Sequence, residues 1–469
     1  MASINANCSA NIKPLTNGHH SRIRSDPPSS TTWGYDTIQV HAGLEEDPVY
    51  GQCTLPVYDS VAFKYKSSQA IAEAFGSEGL SDAFVYSRFG NPTTAAFARR
   101  IARLEGCTDG VAVASGAGAI LMTILSLARA GDNVVVSDAT FGGTFHEFQI
   151  IAPAMGIQPR FCNTNNVEQV ESLIDNKTRF VFSETVANPK FTVCDLEALS
   201  KITRKYRMPL VVDATFTAAG YFCQPAAFGA DIIVHSATKW IGGHGTTLGG
   251  VIIECGTSEW QTNSSRFPQL HGQRPGREGF DVNLYEAAGD GAYLYFLQND
   301  ILRDMGVCLS ASAAQQLCIG TESLSLRCKK QAENADALAH WLQQNPRVAW
   351  VRYLGFGNHP SHQLAQKYLK NGYGTVFTFG LKGGMDEALA VIDRLKLVIN
   401  CSNVGDSKTI ISHHWSTSHR QCTAEENKRL GVDEELIRVS LGIEDIQDLI
   451  ADFTQALDKT EDKTTSASI

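Results

Sequence analysis

Short runs of apolar, mostly β-branched residues alternate with helix-like stretches through the middle of the chain, and this alternation most constrains the fold. The runs show no alternation of polar and apolar residues, so each predicted strand is buried on both faces, as in a parallel sheet. Residues 195–206, between two of the runs, have the periodicity of an amphipathic helix. We therefore predict an α/β domain with a mostly parallel central sheet flanked by helices. The predicted strands cover residues 111–113, 133–137, 180–182, 210–212, 232–234 and 250–253.

The pattern changes after about residue 300. A long helix is predicted to begin near Ser310 and to run through Cys328 and beyond, and strands are predicted at 348–351 and 376–379. These elements indicate a smaller α+β C-terminal domain, whereas residues 259–290 have weak periodicity and read as a loop-rich connection. The predicted division is a disordered tail at 1–34, an N-terminal arm at 35–85, a larger domain at 86–300, a C-terminal domain at 301–460 and a second disordered tail at 461–469.

Composition argues against several classes of protein. The chain has 40 Lys and Arg against 49 Asp and Glu, a net charge of −9, so it would repel a nucleic acid backbone. Its 12 cysteines include no Cys-x-x-Cys pair, which favours free thiols in a reducing compartment. Residues 111–128 carry no charge, but Ser115, Gly116 and Gly118 interrupt them, so a buried strand, a turn and a helix are predicted instead of a membrane span. We expect a cytoplasmic protein, since no signal-peptide pattern precedes these residues.

Polar residues follow three of the predicted strands, at the edge where open α/β sheets bind their ligands. A lysine can form a Schiff base with an aldehyde, and an aspartate can hold a pyridine nitrogen protonated. A turn of small residues before a helix can bind phosphate through backbone N–H groups. Together these groups fit pyridoxal 5′-phosphate, although each alone also has an ordinary explanation as a surface lysine, a helix cap or a tight turn. The residues are Asp213, then Ser236, Thr238 and Lys239, and the turn Ser115-Gly116.

Several longer segments resemble the Cys/Met-metabolism family of pyridoxal phosphate enzymes, which have fold-type I. The segment around Lys239 is the most specific, and its continuation WIGGHGTT (240–247) looks most like the O-acetylhomoserine sulfhydrylase branch. The resemblance spans about residues 36–458 and keeps the order of the family's segments. The segments are YSRFGNPT (86–93), FGGT (141–144), ETVANP (184–189), VDATF (212–216), GADIIVHSATKWIGGHG (229–245), NVGD (403–406) and IRVSLGIE (437–444).

The resemblance implies roles at the cofactor. Lys239 would form the Schiff base and then move protons among the substrate carbons. Asp213 would pair with the ring nitrogen, Asn188 would hydrogen-bond the ring hydroxyl, and Phe141 would stack on the ring. The remaining cofactor-binding residues would be Thr215 and the phosphate-binding set Gly116, Ala117, Ser236 and Thr238.

The resemblance also implies substrate and subunit contacts. Arg438 would hold the carboxylate of an amino acid in a bidentate fork, with Asn403 assisting, and Trp415 would lie near the substrate mouth. Tyr86 and Arg88 would reach the phosphate of a neighbouring subunit. The expected assembly is therefore a homo-oligomer, a tetramer built as a dimer of dimers in this family.

Four departures from the family pattern cluster where a second substrate should enter. Phe141 stands where the family usually has tyrosine, so the phenol is missing, and Gln298 replaces a usual arginine. The branch's usual HPASTTH reads HHWSTSH (413–419), and RPGREG (274–279) lacks an expected Tyr-His-Gly. The anchors of the cofactor are unchanged.

These departures leave the nucleophile open. The implied reaction starts from O-acetyl-L-homoserine, expels acetate from Cγ and leaves a vinylglycine-type electrophile. A carbon nucleophile such as a β-keto acid, as in related fungal enzymes of natural-product pathways, could then add, with Arg277 or His414 holding its carboxylate. A conventional sulfhydrylase using sulfide or methanethiol is the alternative, and a γ-lyase is a further one.

Three other classes of protein fit less well. Ser236 and Lys239 match the Ser-x-x-Lys of penicillin-recognising hydrolases, but the chain has no Ser-Asp-Asn partner motif. A metal site at His413, His414 and His419 lacks an acid or cysteine at a matching spacing. A degenerate scaffold would have no reason to keep the catalytic lysine together with the residues that serve it.

Overall fold

The computed structural model describes residues 33–44, 51–76, 83–272, 283–418, 420, 423, 425, 427 and 430–458. Nearly all of the two predicted disordered tails therefore lies outside the described residues. The same holds for the segment 274–279, with Arg277, and for His419.

A seven-stranded sheet forms the centre of the larger part of the molecule. Its strand order is β1-β7-β6-β5-β4-β2-β3. Strand β7 runs antiparallel to its neighbours β1 and β6, and the other pairs are parallel. The predicted mostly parallel sheet is thus confirmed. The strands are β1 (Asp109–Val113), β2 (Asn133–Ser137), β3 (Gln158–Cys162), β4 (Thr178–Glu184), β5 (Leu210–Asp213), β6 (Ile232–Ser236) and β7 (Gly250–Glu254).

Helices cover both faces of this sheet, and one apolar cluster fills each interface. One cluster includes Phe97, Leu199 and Leu317, and the other includes Ile120, Phe148 and Leu297. The α-helices up to residue 305 are Tyr35–His41, Ser68–Gly76, Pro92–Leu104, Gly116–Leu127, Gly142–His146, Ala152–Ala154, Val167–Ser172, Leu196–Lys205, Leu284–Ala288, Ala292–Phe296 and Arg303–Met305. Two π-helical turns, Glu147–Ile151 and Leu297–Leu302, and five 3₁₀ turns, Thr215–Thr217, Pro225–Phe228, Trp260–Thr262, Pro268–Leu270 and Gly289–Gly291, complete this part.

A second sheet of five strands lies in the C-terminal part, with its own apolar cluster around Phe377, Phe379 and Phe453. The strand order is β10-β11-β12-β9-β8, and only the short pair β10 and β11 is parallel. The strands are β8 (Val348–Arg352), β9 (Val376–Leu381), β10 (Ile399–Asn400), β11 (Ile410–His413) and β12 (Leu436–Ser440). The helices are Ala311–Thr321, Leu324–Gln344, His362–Tyr368, Gly384–Arg394 and Ile446–Asp458.

The long helix predicted from Ser310 through Cys328 is wrong as one element, because it is two helices that break at residues 322–323. Arg327 lies across the break. Its Nη2 donates to Gly320 O at 2.6 Å, and its Nε donates to Ser323 Oγ at 3.1 Å. The guanidinium thus donates a hydrogen bond to the carbonyl oxygen of Gly320, which would accept from a backbone N–H in a continuous helix. Gly320 also packs so closely on Gly242 that a Cβ would lie 2.2 Å from the carbonyl oxygen of Gly242.

The uncharged stretch 111–128 folds as predicted, with strand β1 followed by the helix Gly116–Leu127. Ser115 caps this helix, since its Oγ accepts from Gly118 N at 3.0 Å. In the part of the chain that the structure describes, no helix is both long enough and apolar enough to span a membrane.

Candidate active site

A cavity of about 270 Å³ opens at the carboxyl ends of β4, β5 and β6. The neighbouring strands are parallel, so side chains that follow them meet at one edge of the sheet. The cavity brings together eleven of the fourteen site residues predicted from the sequence: Gly116, Ala117, Phe141, Asn188, Asp213, Thr215, Ser236, Thr238, Lys239, Asn403 and Arg438.

The turn before the helix Gly116–Leu127 is built for close approach. A Cβ on Gly116 would lie 2.5 Å from the Cβ of Ser236, so only glycine lets the helix begin this near to β6. The first N–H groups of a helix have no partner within the helix and attract anions. The hydroxyls of Ser236 and Thr238 line the same part of the cavity, and Thr238 is fixed because its Oγ1 accepts from Gly249 N at 3.1 Å. This turn can therefore hold a phosphate.

Asp213 ends β5 and lines the cavity. Its Oδ1 accepts from Thr215 N at 2.8 Å, and Thr215 Oγ1 accepts from Ser236 N at 2.8 Å. Burial raises the pKa of Asp213, while the hydrogen bonds from Thr215 and the nearby His235 lower it. A cation placed against Asp213 would offset the cost of burial and keep the carboxylate ionised.

Lys239 and Arg438 meet at Asn403. Lys239 Nζ donates to Asn403 Oδ1 at 2.7 Å, and Arg438 Nη2 donates to the backbone oxygen of Asn403 at 3.0 Å. Burial, and next the charge of Arg438, lower the pKa of Lys239 to about 8. Burial lowers the pKa of Arg438 to about 10. The amine of Lys239 is therefore neutral far more often than that of a surface lysine, which a nucleophile or a base requires.

Phe141 and Asn188 complete the expected ring site. Phe141 is 49% exposed, so the face of its ring is free to stack on a flat ligand. Its backbone N donates to Glu184 Oε1 at 2.5 Å. Asn188 is buried, and its Oδ1 has no hydrogen-bond partner among the described residues. A buried side-chain amide with an unpaired atom is costly unless a ligand pairs with it.

Two carboxyls in the cavity were not predicted from the sequence as site residues. Burial, and next the charge of Asp213, raise the pKa of Glu184 well above its usual value, and the same two causes raise that of Glu147 to about 8. Glu184 belongs to the ETVANP segment, in which the resemblance implied a function for Asn188 only. Glu147 lies outside every segment on which the family resemblance rests.

The structure does not bring three predicted residues into the cavity wall. Tyr86 and Arg88 are exposed, and the guanidinium of Arg88 lies over the Tyr86 ring at 5.4 Å and donates to Arg303 O. Trp415 follows β11 and is half-buried, and it does not line the cavity. The neighbouring His413 is buried, and its two ring nitrogens bond to Ser416 Oγ and to Glu434 O.

A wider cleft of about 770 Å³ adjoins the cavity and shares Thr238, Lys239, Leu248, Ser402 and Asn403 with it. Apart from Lys239, the described residues that line the cleft are uncharged. Gln298, the departure from a family arginine, does not line it and instead donates to Phe89 O at 2.6 Å. Within the described residues, no three His, Cys, Asp or Glu side chains are grouped as ligands for a metal ion.

These residues fit pyridoxal phosphate. The glycine turn and the two hydroxyls suit its phosphate, Asp213 suits its ring nitrogen, and Lys239 suits its aldehyde. The unpaired amide of Asn188 suits its ring hydroxyl. The donor set therefore matches each polar group of the cofactor with a side chain or a turn of the right chemistry.

Comparison with known proteins agrees with this fit. Residues 36–458 match the model of the Cys/Met metabolism PLP-dependent enzyme family. The sulfhydrylase-like protein lolC1 of Epichloe uncinata is 45% identical over 91% of this chain and 88% of its own length. The homocysteine/cysteine synthase of Saccharomyces cerevisiae is 42% identical over 90% of this chain and 97% of its own length.

A solved structure gives the same result. The putative O-acetylhomoserine (thiol)-lyase of Campylobacter jejuni, crystallised with N′-pyridoxyl-lysine-5′-monophosphate, matches with a TM-score of 0.86 and 30% identity. The match covers 91% of this chain and 100% of that one. The chain therefore belongs to the Cys/Met metabolism family of pyridoxal phosphate-dependent enzymes, and its predicted fold and cofactor are confirmed.

Proposed function

We propose that the enzyme catalyses a γ-replacement on O-acetyl-L-homoserine. The C–O bond at Cγ breaks, acetate leaves with the electron pair, and an external nucleophile forms a new bond to Cγ and gives up its proton. The observation that carries this proposal is the meeting of Lys239 and Arg438 at Asn403, because it places a base and a carboxylate-binding cation side by side in the cofactor cavity.

Pyridoxal phosphate supplies an electron sink when bound, and the protein has to bind the amino acid and to move its protons. Lys239 Nζ can take a proton from Cα, because its lowered pKa leaves more of the amine neutral than in a surface lysine. The hydrogen bond to Asn403 Oδ1 orients that nitrogen. The same Nζ can then pass protons to and from Cβ.

Arg438 is the group proposed to recognise the substrate carboxylate. It lies at the centre of β12, paired with Ser412 of β11 and Thr378 of β9, so its backbone is held on both sides. The side chain is almost fully buried, and an isolated cation there would be costly. A carboxylate bound in a fork by the guanidinium would offset that cost.

The nucleophile is proposed to be organic and to attack through carbon, with a β-keto acid as the first candidate. Two features support it. Phe141 offers a stacking face without a phenol, and the cleft of about 770 Å³ beside Lys239 is much larger than sulfide needs. Sulfide or methanethiol is the second candidate, which the 42% identity to a homocysteine/cysteine synthase favours.

The test is a product assay. Purified enzyme is incubated with O-acetyl-L-homoserine and, in parallel, with acetoacetate, sulfide or methanethiol, and the amino acid products are identified by mass spectrometry. A carbon adduct with little sulfur product supports the first candidate, and a sulfur product formed at least as fast supports the second. If O-acetyl-L-homoserine neither changes the cofactor absorbance nor forms a product, the proposal is wrong.

We also propose that two subunits complete each site, in a homo-oligomer such as a tetramer. Among the described residues that line the cavity, the cations are Lys239 and Arg438, and neither belongs to the turn at Gly116. A phosphate there needs a cation from elsewhere, and the exposed Arg88, with Tyr86, is suited to reach a neighbouring subunit.

Mixing two defective variants tests this arrangement. Arg88→Ala and Lys239→Ala should each be inactive. When the two variants are unfolded and refolded together, about half of the dimers should be mixed, and each mixed dimer has one intact site of two. The mixture should therefore regain about a quarter of the parental activity. No recovery in a mixture that forms oligomers would place Arg88 in its own site. Light scattering gives the number of subunits.

The ten described cysteines are free, which supports a location in the reducing cytoplasm.

A further inference from the structure

Glu147 lines the cofactor cavity and begins a locally widened turn of its helix. The π-helical turn Glu147–Ile151 follows directly on the helix Gly142–His146, and the carbonyl of Glu147 accepts from Ala152 N, five residues later. Pro153 explains the wider turn, since it has no N–H and its ring would clash with the carbonyl four residues before it. Turns of this kind are frequent at functional sites. This one begins at a residue that lines the cavity.

The Glu147 carboxyl is buried without a full set of partners. Its Oε2 is inaccessible to solvent and has no hydrogen-bond partner among the described residues. Leaving a buried polar atom unpaired is unfavourable, because the atom loses its hydrogen bonds to water and gains none in the protein. A side chain that serves only packing would be better replaced by an apolar one, so the carboxyl calls for a functional explanation.

Three carboxyls share this part of the cavity. Glu184 on β4 and Asp213 on β5 line it together with Glu147. Glu184 is buried, and the other two are half-buried. The charge of Asp213 disfavours ionisation of its two neighbours, and together with burial it raises the pKa of both Glu184 and Glu147.

The basic side chains near the cavity are bonded to other groups or exposed to solvent. Lys239 and Arg438 both bond to Asn403, and Arg438 is the charge that most affects the pKa of Lys239 after burial. His235 on β6 acts on Asp213 but is bonded to Glu105 Oε1 at 2.7 Å. His146, next to Glu147, is exposed. The ring nitrogen of the cofactor is then the cation best placed to respond to the three carboxyls.

We propose that Glu147 is a positioning residue that acts through Asp213 on the ring nitrogen of pyridoxal phosphate. In its protonated form Glu147 leaves Asp213 as the ionised partner of that nitrogen. When Glu147 loses its proton, the added negative charge holds the ring proton more firmly. The proposal rests on the cofactor of the family and not on the proposed substrates, so its test uses resting enzyme without an amino acid.

The test measures the ¹⁵N chemical shift of ring-labelled pyridoxal phosphate in the holoenzyme between pH 6.5 and 9.5. The parent and Glu147→Gln should agree at pH 6.5, where Glu147 is neutral, and should diverge as Glu147 loses its proton. Burial and Asp213 place the pKa of Glu147 at about 8 without the cofactor, and the positive ring nitrogen lowers it in the holoenzyme. A difference that is constant with pH would mean a merely structural effect, and a difference of zero would mean no coupling. Either result overturns the proposal.

Two further variants keep the test decisive. Glu147→Asp retains an ionisable carboxyl and should restore a pH-dependent shift, with a displaced midpoint. His146→Gln changes the exposed neighbour on the same helix and should match the parent at every pH. If Glu147→Gln binds the cofactor too poorly to be measured, the displaced midpoint of Glu147→Asp decides, and an unmoved midpoint refutes the role of Glu147.

Discussion

Replacing Arg438 by lysine tests the substrate site most sharply, because the charge is kept and the planar fork is lost. Arg438 is 6% exposed, and one of its terminal nitrogens already bonds to the backbone oxygen of Asn403. A lysine keeps the positive charge but loses the planar fork that pairs two parallel N–H groups with the two oxygens of a carboxylate. A hydrogen bond to a charged group contributes about 1.5–3 kcal/mol, so the affinity for the amino acid should fall by about 10- to 150-fold.

The assay separates binding from chemistry. Arg438→Lys should raise KM for O-acetyl-L-homoserine by that factor, and the amino acid concentration that half-saturates the cofactor's spectral change should rise equally. The cofactor content and the melting temperature should stay near the parental values. Arg352→Lys is the matched control, since Arg352 belongs to the same sheet but pairs with Asp433 outside the cavity. An unchanged KM, or a loss explained by missing cofactor, would refute the assignment of Arg438.

Three further predictions concern the cofactor site. Gly116→Ala should weaken cofactor binding by about tenfold in a fluorescence titration, because its methyl group would overlap Ser236; unchanged affinity would mean that the turn does not bind the phosphate. Phe141→Tyr should change the unfolding free energy by less than about 0.5 kcal/mol in a denaturant titration, since the ring is half exposed; a larger loss would mean that the ring packs in the core. In the apoenzyme the rate of cofactor capture should rise up to about pH 8, as Lys239 loses its proton, and then level off; a rise that continues to pH 10 would mean that the pKa of Lys239 is not lowered.

Much of the fold could be predicted because the central strands are apolar on both faces. Five of the six apolar runs lie within their strands but are too short, since strand ends such as Thr178 and Glu184 are polar. The run 133–137 matches β2 at both ends, whereas β3 was not predicted. The break at residues 322–323 could not be read from periodicity, because it depends on Arg327 reaching a carbonyl seven residues earlier. Side-chain competition for backbone groups of this kind leaves no local pattern.

The site could be predicted where its residues lie in short motifs that directly follow a predicted strand. The residues at the strand ends meet because parallel strands share an edge, so Lys239 and Asp213 followed from the order of motifs. The bond between Lys239 and Asn403 spans 164 residues, and only the fold brings the two side chains together. Glu147 was missed because its role depends on burial and on a neighbouring charge, which the residue type alone does not show.

Counting acetate against adduct is the most direct test of the proposed γ-replacement. The enzyme would be given O-acetyl-L-homoserine with and without a nucleophile, and acetate, adduct, 2-oxobutanoate and ammonia would be quantified together. The account predicts one acetate for each adduct, with Lys239→Ala forming neither. Adduct without acetate, or acetate matched only by 2-oxobutanoate and ammonia whatever nucleophile is present, would contradict it and indicate a different leaving group or a γ-lyase.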